Sequence, residues 1–370
     1  MKDMNRKTDK LPPFFTHPIG SLPRPKVLLD ILSSESSMAP ADFRQRMNEM
    51  VIFAIRLQEQ AGLDVVSDGE WRRVHYIKEF LNRIGGFAKE RRYHLHGEER
   101  LTDVVVERID SADPVFTDDA TFLAGHTDRV TKFALPSPFL IATRFWHEDY
   151  SATAYPTRRH FMDHLAEILH REARALAASG IGIIQLDDPA LTYFCDKQVM
   201  QGETHDERLL QEWNVDEQFP AAVEAINHVA EGLDARVHLH CCHSVFKRRS
   251  DVSGNYKPIL PRLEDAKVDC VNLEFAYTGT GDASDLELLP GHLSVGMGVI
   301  DVRTEAVQEV EQIETLGSRG VEFLPPGRIG LNPDCGFAPD AGEPPTIDEA
   351  FVKLRNLCEA ARRLRARFPE

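Results

Sequence analysis

Eight short β-rich runs alternate with longer helical stretches along this 370-residue chain, and seven of the eight runs end in polar or charged clusters. Several of the runs are continuously apolar, as in a parallel sheet covered on both faces. These observations predict an α/β fold, a (β/α)8 TIM barrel with its working face at the carboxyl ends of the strands. A doubly wound open sheet is the alternative, but no Gly-rich dinucleotide fingerprint follows an early strand; GVIDVRTEAV and GTGDAS lack the spacing.

In chain order, the expected strands are Phe14–His17, Asp64–Ser67, Phe139–Thr143, Gly182–Leu186, Val237–Cys241, Cys270–Phe275, Leu293–Val299 and Arg328–Asn332. The helices between them are expected at Ala41–Ala61, His160–Ser179, Ala221–Gly232, Thr304–Leu316 and Ile347–Phe368. Thr346 is placed to cap the last of these, with acidic residues following in its first turn. The charged segment Gly85–Ser137 breaks the alternation after the second strand and reads as an insertion, either a small β subdomain or a lid over the barrel mouth. The whole chain, 1–370, is then one barrel domain, with residues 1–10 expected to be disordered.

A hydrophobic fraction of 42% and a charged fraction of 28% are ordinary for a globular domain. The net charge of −16 argues against a general nucleic-acid binder, which needs concentrated Lys and Arg. No apolar run approaches the roughly 18 residues of a membrane span. The start MKDMNRKTDKLPPFF is not a secretory signal, so a cytoplasmic protein with free or metal-bound cysteines is expected.

The strand ends carry the chemistry. His240 and Cys242 in VHLHCCHS share a face two residues apart, and Cys335 in LNPDCG and Glu274 in VNLEFA end two other strands. An imidazole, two thiolates and a carboxylate make a four-coordinate set that suits Zn2+ better than magnesium or calcium. His243 is the rival ligand; Cys241 should point away, and Cys270 reads as core. Glu70 and Asp187, in separate loops, suit a cationic group such as an α-amino group, whereas Asp188 also fits a helix cap. Ser21 and nearby backbone N–H groups in HPIGSLPRP can take a carboxylate. His17 is either a substrate ligand or a satisfied buried histidine, and Arg72 or Arg73 could meet an anion. Asp301 and Arg303 form either a loop salt bridge or a catalytic pair.

In this order, IGSLPRP, DGEWRR, LDDPA, HLHCCHS, NLEFA, GVIDVR and NPDCG resemble the catalytic half of the cobalamin-independent methionine synthases. The resemblance spans about Thr16 to Asp340 and is to the short, single-barrel form. It implies a barrel fold, with His240, Cys242, Glu274 and Cys335 as zinc ligands. It also implies that Glu70 and Asp187 hold the amino group of homocysteine or methionine, and Ser21 its carboxylate. Two positions depart from the family. Arg303 stands where its GVYDIHS loop has a histidine, and arginine is no general acid at ordinary pH. Arg144 stands where a tryptophan stacks on the folate, with Trp146 two residues later.

The function expected is methyl transfer to a thiol, homocysteine first, from a methylfolate, methylcobalamin or methylated corrinoid protein. Zinc would keep the substrate sulfur deprotonated at neutral pH. Other expectations compatible with the sequence are transfer to another thiol, as in epoxyalkane:coenzyme M transferases, a metal-free uroporphyrinogen decarboxylase-like enzyme, or a structural zinc in a binding protein.

Overall fold

The computed structural model describes residues 7–95, 97–109, 113–204, 206–245, 247–338 and 345–369. Ten strands occur among them: β1 (Phe15–Thr16), β2 (Val65–Val66), β3 (Phe87–Leu95), β4 (Glu98–Val105), β5 (Val130–Pro136), β6 (Ile183–Asp187), β7 (Arg236–Cys241), β8 (Cys270–Glu274), β9 (Ser294–Ile300) and β10 (Ile329–Pro333). Eight form one parallel sheet in the order β1-β10-β9-β8-β7-β6-β5-β2. The helices pack around it, as expected of a TIM barrel.

β1 and β2 have only two residues each, and the barrel closes between them through side chains rather than a ladder. Thr16 donates to Asp64 Oδ2 from its backbone N (2.8 Å) and its Oγ1 (2.9 Å), and Asp64 N returns a bond to Thr16 Oγ1 at 3.1 Å. Arg365, near the end of helix Ile347–Arg367, also donates to Asp64 and to the carbonyls of Pro13 and Phe14. The last helix thereby pins the first strand.

The expected third strand, Phe139–Thr143, is a helix (Pro138–Phe145), and the strand is β5 just before it. The cause is local. Ser137 Oγ accepts from Leu140 N at 3.0 Å and Pro138 occupies the first helical turn, so FLIAT begins a capped helix. In VTKFALP, Lys132 interrupts the apolar run that would have marked a strand, yet its side chain is fully buried inside the barrel. Among the described residues of 85–137, therefore, the antiparallel hairpin β3–β4 and helix Thr117–Gly125 are the elements that depart from the barrel alternation. Helix Val215–Ala230 starts six residues before its expected start because Pro220 lies inside it, and Val310–Arg319 starts six residues late. Of residues 1–10, Lys7–Lys10 form a 3-10 turn and the first six lie outside the described residues.

The barrel interior below the strand ends is polar. Asn272 donates to Gln185 Oε1 at 2.9 Å, while Gln185 donates to Ile19 O at 3.0 Å and to Asp187 Oδ1 at 2.7 Å. Lys132 Nζ donates to Pro18 O at 2.8 Å and lies 3.0 Å from His17 Nδ1. Burial pulls the Lys132 ammonium down to about 7. These side chains fit because Gly296 has none: a Cβ there would lie 2.2 Å from Asn272 Oδ1 and 2.5 Å from Asn332 Oδ1. Gly296→Ala should therefore cost about 1–3 kcal/mol of stability through overpacking. Urea unfolding measures it, and an unchanged midpoint would reject the packing argument.

Candidate metal centre and substrate cavity

Alternation along β7 turns His238 and His240 inward, and Cys242 follows on the same face. Cys335 arrives from the loop after β10. The ligand atoms of His240, Cys242 and Cys335 lie within 4.8 Å of one another, and all three residues are buried. His240 Nδ1 lies 2.9 Å from Asp187 Oδ1, so Nδ1–H donates to the carboxylate, which directs Nε2 to the cluster. His240 Nε2 is buried with no hydrogen-bond partner, as expected of an atom shaped for a metal. The Cys242 thiol is drawn down to about 5, chiefly by a hydrogen bond from Cys335 and, against burial, by His240; the same contact pushes Cys335 up. A nitrogen and two sulfurs, one of them drawn toward the thiolate form, make a donor set that fits zinc.

Glu274 ends β8 and stands outside that three-residue group. Its Oε1 accepts from Arg303 Nη2 at 2.8 Å, while Oε2 accepts from His243 N at 3.1 Å and meets His243 Nδ1 at 2.8 Å. Burial alone would raise its pKa, but Arg303 and His243 outweigh it and hold the carboxyl at about 2. His243, the rival ligand from the sequence, is thus committed to Glu274 and, through Nε2, to Gly254 O at 2.8 Å. Asp334, missed in the sequence despite sitting beside Cys335, fixes the loop after β8. Its carboxylate accepts from the backbone N–H groups of Phe275, Ala276 and Tyr277 at 2.9–3.1 Å.

A cavity of about 280 Å³ opens over the cluster, and Ser21, Glu70, Asp187 and Arg144 all line it with His240, Cys242 and Cys335. Glu70 adopts a left-handed backbone (φ 57°) after Gly69 (φ 66°), which aims its side chain inward. A Cβ on Gly20 would lie 2.1 Å from Glu70 Oε1, so only glycine leaves room for this carboxylate. Burial, with Asp187 and Asp68 nearby, raises Glu70 to about 7 against the pull of Arg73, and Oε2 has no partner. Ser21 Oγ accepts from Ala338 N at 3.3 Å, and a Cβ on Gly336 would lie 2.3 Å from it. The β3–β4 hairpin contributes Tyr93, Leu95, Arg100, Leu101 and Thr102 to the lining.

Six residues singled out in the sequence lie elsewhere. His17 is buried against Lys132 and Pro18 through Nδ1 and stacked on Phe15 at 5.2 Å, while its Nε2 has no hydrogen-bond partner among the described residues. Trp146 donates its indole N–H to Tyr155 O at 3.0 Å and does not line the cavity. Asp301 and Arg303 are also outside the lining: Asp301 accepts from Arg303 N at 2.7 Å, and the guanidinium goes to Glu274 and over Tyr277. Arg72 pairs with Asp119 at 3.1 Å on the outer side. Arg73, likewise away from the cavity, is buried against Phe133 and Phe116 and donates to Ala134 O.

Residues 14–363 match the family described as cobalamin-independent synthase, catalytic domain. A methionine synthase from Pyrococcus furiosus is 28% identical over 362 residues, covering 96% of this chain and 94% of that protein. Another, from Saccharolobus solfataricus, is 29% identical and covers 89% of each. The fold resembles a B12-independent methionine synthase from Shewanella sp. W3-18-1 solved with selenomethionine, with a TM-score of 0.77, 23% identity, and coverage of 96% and 98%.

Proposed function

The chain belongs to the cobalamin-independent synthase family and is a methyltransferase of that type, and on this premise we propose that it methylates homocysteine to methionine at a zinc centre. The observation that carries the reading is the convergence of His240, Cys242 and Cys335 in one cavity with Ser21, Glu70 and Asp187. His240, Cys242 and Cys335 would hold the zinc. Glu274 is the proposed fourth donor, ionised but tempered by Arg303 and His243. Zinc in such a set supplies one thing: it lowers the pKa of a coordinated substrate thiol, so that the sulfur is a thiolate at neutral pH.

The protein's own groups orient the amino acid. Glu70 and Asp187 face the α-ammonium, and Ser21 with the backbone near Gly336 takes the α-carboxylate. The substrate sulfur attacks the donor methyl in line; its electron pair forms the new S–C bond, and the pair of the broken bond stays on the donor. A methyl on a tertiary amine leaves only if that nitrogen is protonated. Arg303 cannot supply the proton, and neither it nor Asp301 lines the cavity. A methylcorrinoid leaving group needs no proton, whereas a methylfolate needs one from another group of the cavity, such as Glu70.

The test is methionine formation from homocysteine with methylcobalamin, a methylated corrinoid protein and methyltetrahydrofolate in parallel. No product with any donor would overturn the assignment. Glu70→Gln should raise KM for homocysteine roughly ten- to a hundredfold, since one charged bond to the ammonium is lost. Because Glu70 titrates near pH 7 before substrate binds, kcat/KM should fall as pH drops through that value in the native enzyme. The slope should be absent in Glu70→Gln, and an identical profile in both would remove Glu70 from the ammonium site.

A further inference from the structure

Four cationic side chains line the cavity, and three are neutralised. Lys78 pairs with Asp103 at 3.1 Å, Arg100 with Glu98 at 3.1 Å, and Arg208 with Asp206 at 2.6 Å. Arg144 differs. It comes from helix Pro138–Phe145, directly behind β5, and its bonds go only to hydroxyls. Nε and Nη2 donate to Tyr193 Oη at 3.0 and 2.7 Å, and Nη2 reaches Ser244 Oγ at 3.3 Å. Among the described residues no carboxylate lies within ion-pair distance of it; Asp251, on the same lining, acts on it only at longer range.

Two neutral hydroxyls orient the guanidinium, and its charge is held against burial by Tyr193, Tyr76 and the more distant Asp251 without a direct ion pair among the described residues. Among the described residues Nη1 has no hydrogen-bond partner, and the planar fork suits a carboxylate or phosphate oxygen pair better than any neutral group. Tyr193 is itself fixed against Trp213, so the fork is held in place before anything binds. With Trp146 turned out of the cavity, this part of the lining presents a fixed cation where an aromatic platform was expected.

We propose that Arg144 forms an oxyanion subsite in the catalytic cavity, which takes a carboxylate or phosphate group of the second substrate, the methyl donor. The proposal rests on the two-substrate reading above but concerns a separate ligand from the amino acid. A carboxylate would come from a folate-type donor and a phosphate from the nucleotide loop of a corrinoid. The subsite selects donors by charge, and Tyr193 and Ser244 act as positioning residues for it.

The experiment is calorimetric titration of the zinc-loaded protein with glutarate and with inorganic phosphate, alongside a separate titration with homocysteine. Wild type should bind one of the two probes, and the one it prefers identifies the source of the anion. Arg144→Gln should weaken that binding roughly ten- to hundredfold, the size of a lost charge-assisted contact. Arg144→Lys should fall between, and homocysteine should bind all three proteins alike, which also shows that they are folded. If neither probe binds wild type at millimolar concentration, or if both variants bind it as wild type does, the subsite is wrong. Arg144-dependent anion binding without homocysteine binding would instead retain the subsite and overturn the proposed acceptor.

Discussion

Cys335→Ser should strip the protein of its zinc and lower methyl transfer by at least about a hundredfold. A hydroxyl at that position is a far poorer zinc donor than a thiolate, and it leaves His240 and Cys242 as an incomplete set. Altering a residue that merely supports a ligand already costs about ten- to a hundredfold in metal affinity, so losing the ligand should exceed that. Cys241→Ser is the matched control. Cys241 is one residue from Cys242 on the opposite face of β7, fully buried, and its thiol is held protonated by burial. It should keep its metal. Asp187→Asn belongs between the two, because a neutral amide oxygen accepts from His240 Nδ1–H more weakly than a carboxylate does. Metal content by elemental analysis ranks the three variants, and full retention in Cys335→Ser would remove the thiolate from the site.

The parts of the site visible in the sequence are those that depend on strand period alone. Residues i and i+2 at the end of an apolar run must share a face, so His240 and Cys242 could be paired, and Cys241 set aside, with no knowledge of the rest of the chain. Cys335 and Glu274 followed from their places at other strand ends. The misreadings share a different cause: each depends on what a side chain meets from a distant segment. Lys132 looked like a break in a strand because a lysine inside a barrel needs partners, and those partners, Pro18 and His17, lie more than a hundred residues away. The strand was then assigned to the helix that follows it. Trp146 is close to Arg144 in sequence but caps the end of that helix, where its ring lies under Arg158 and away from the cavity. Asp334 had a signal, an acidic residue beside the ligand Cys335. Its role in clamping the backbone after β8 becomes visible only once β8 and β10 lie on either side of β9.

Arg303 is the position where the structure most changes the expected chemistry, and its removal gives the second large effect. The sequence offered Arg303 as half of a catalytic pair with Asp301. In the folded chain it is instead the counter-ion of Glu274, 2.8 Å away, with the two side chains only 2% and 0% exposed. Arg303→Met should leave that carboxylate charged and buried with His243 as its remaining partner, at a cost of about 3–5 kcal/mol. Removing the charge as well, in Arg303→Met/Glu274→Gln, should recover most of the loss, since the penalty belongs to the orphaned ion and not to the missing contact. Denaturant unfolding of the metal-free single and double variants separates the two cases. If Arg303 served chiefly as a catalytic group, the single variant would lose activity at unchanged stability. The pairing predicts the reverse order, in which stability falls first and methyl transfer follows from a displaced Glu274.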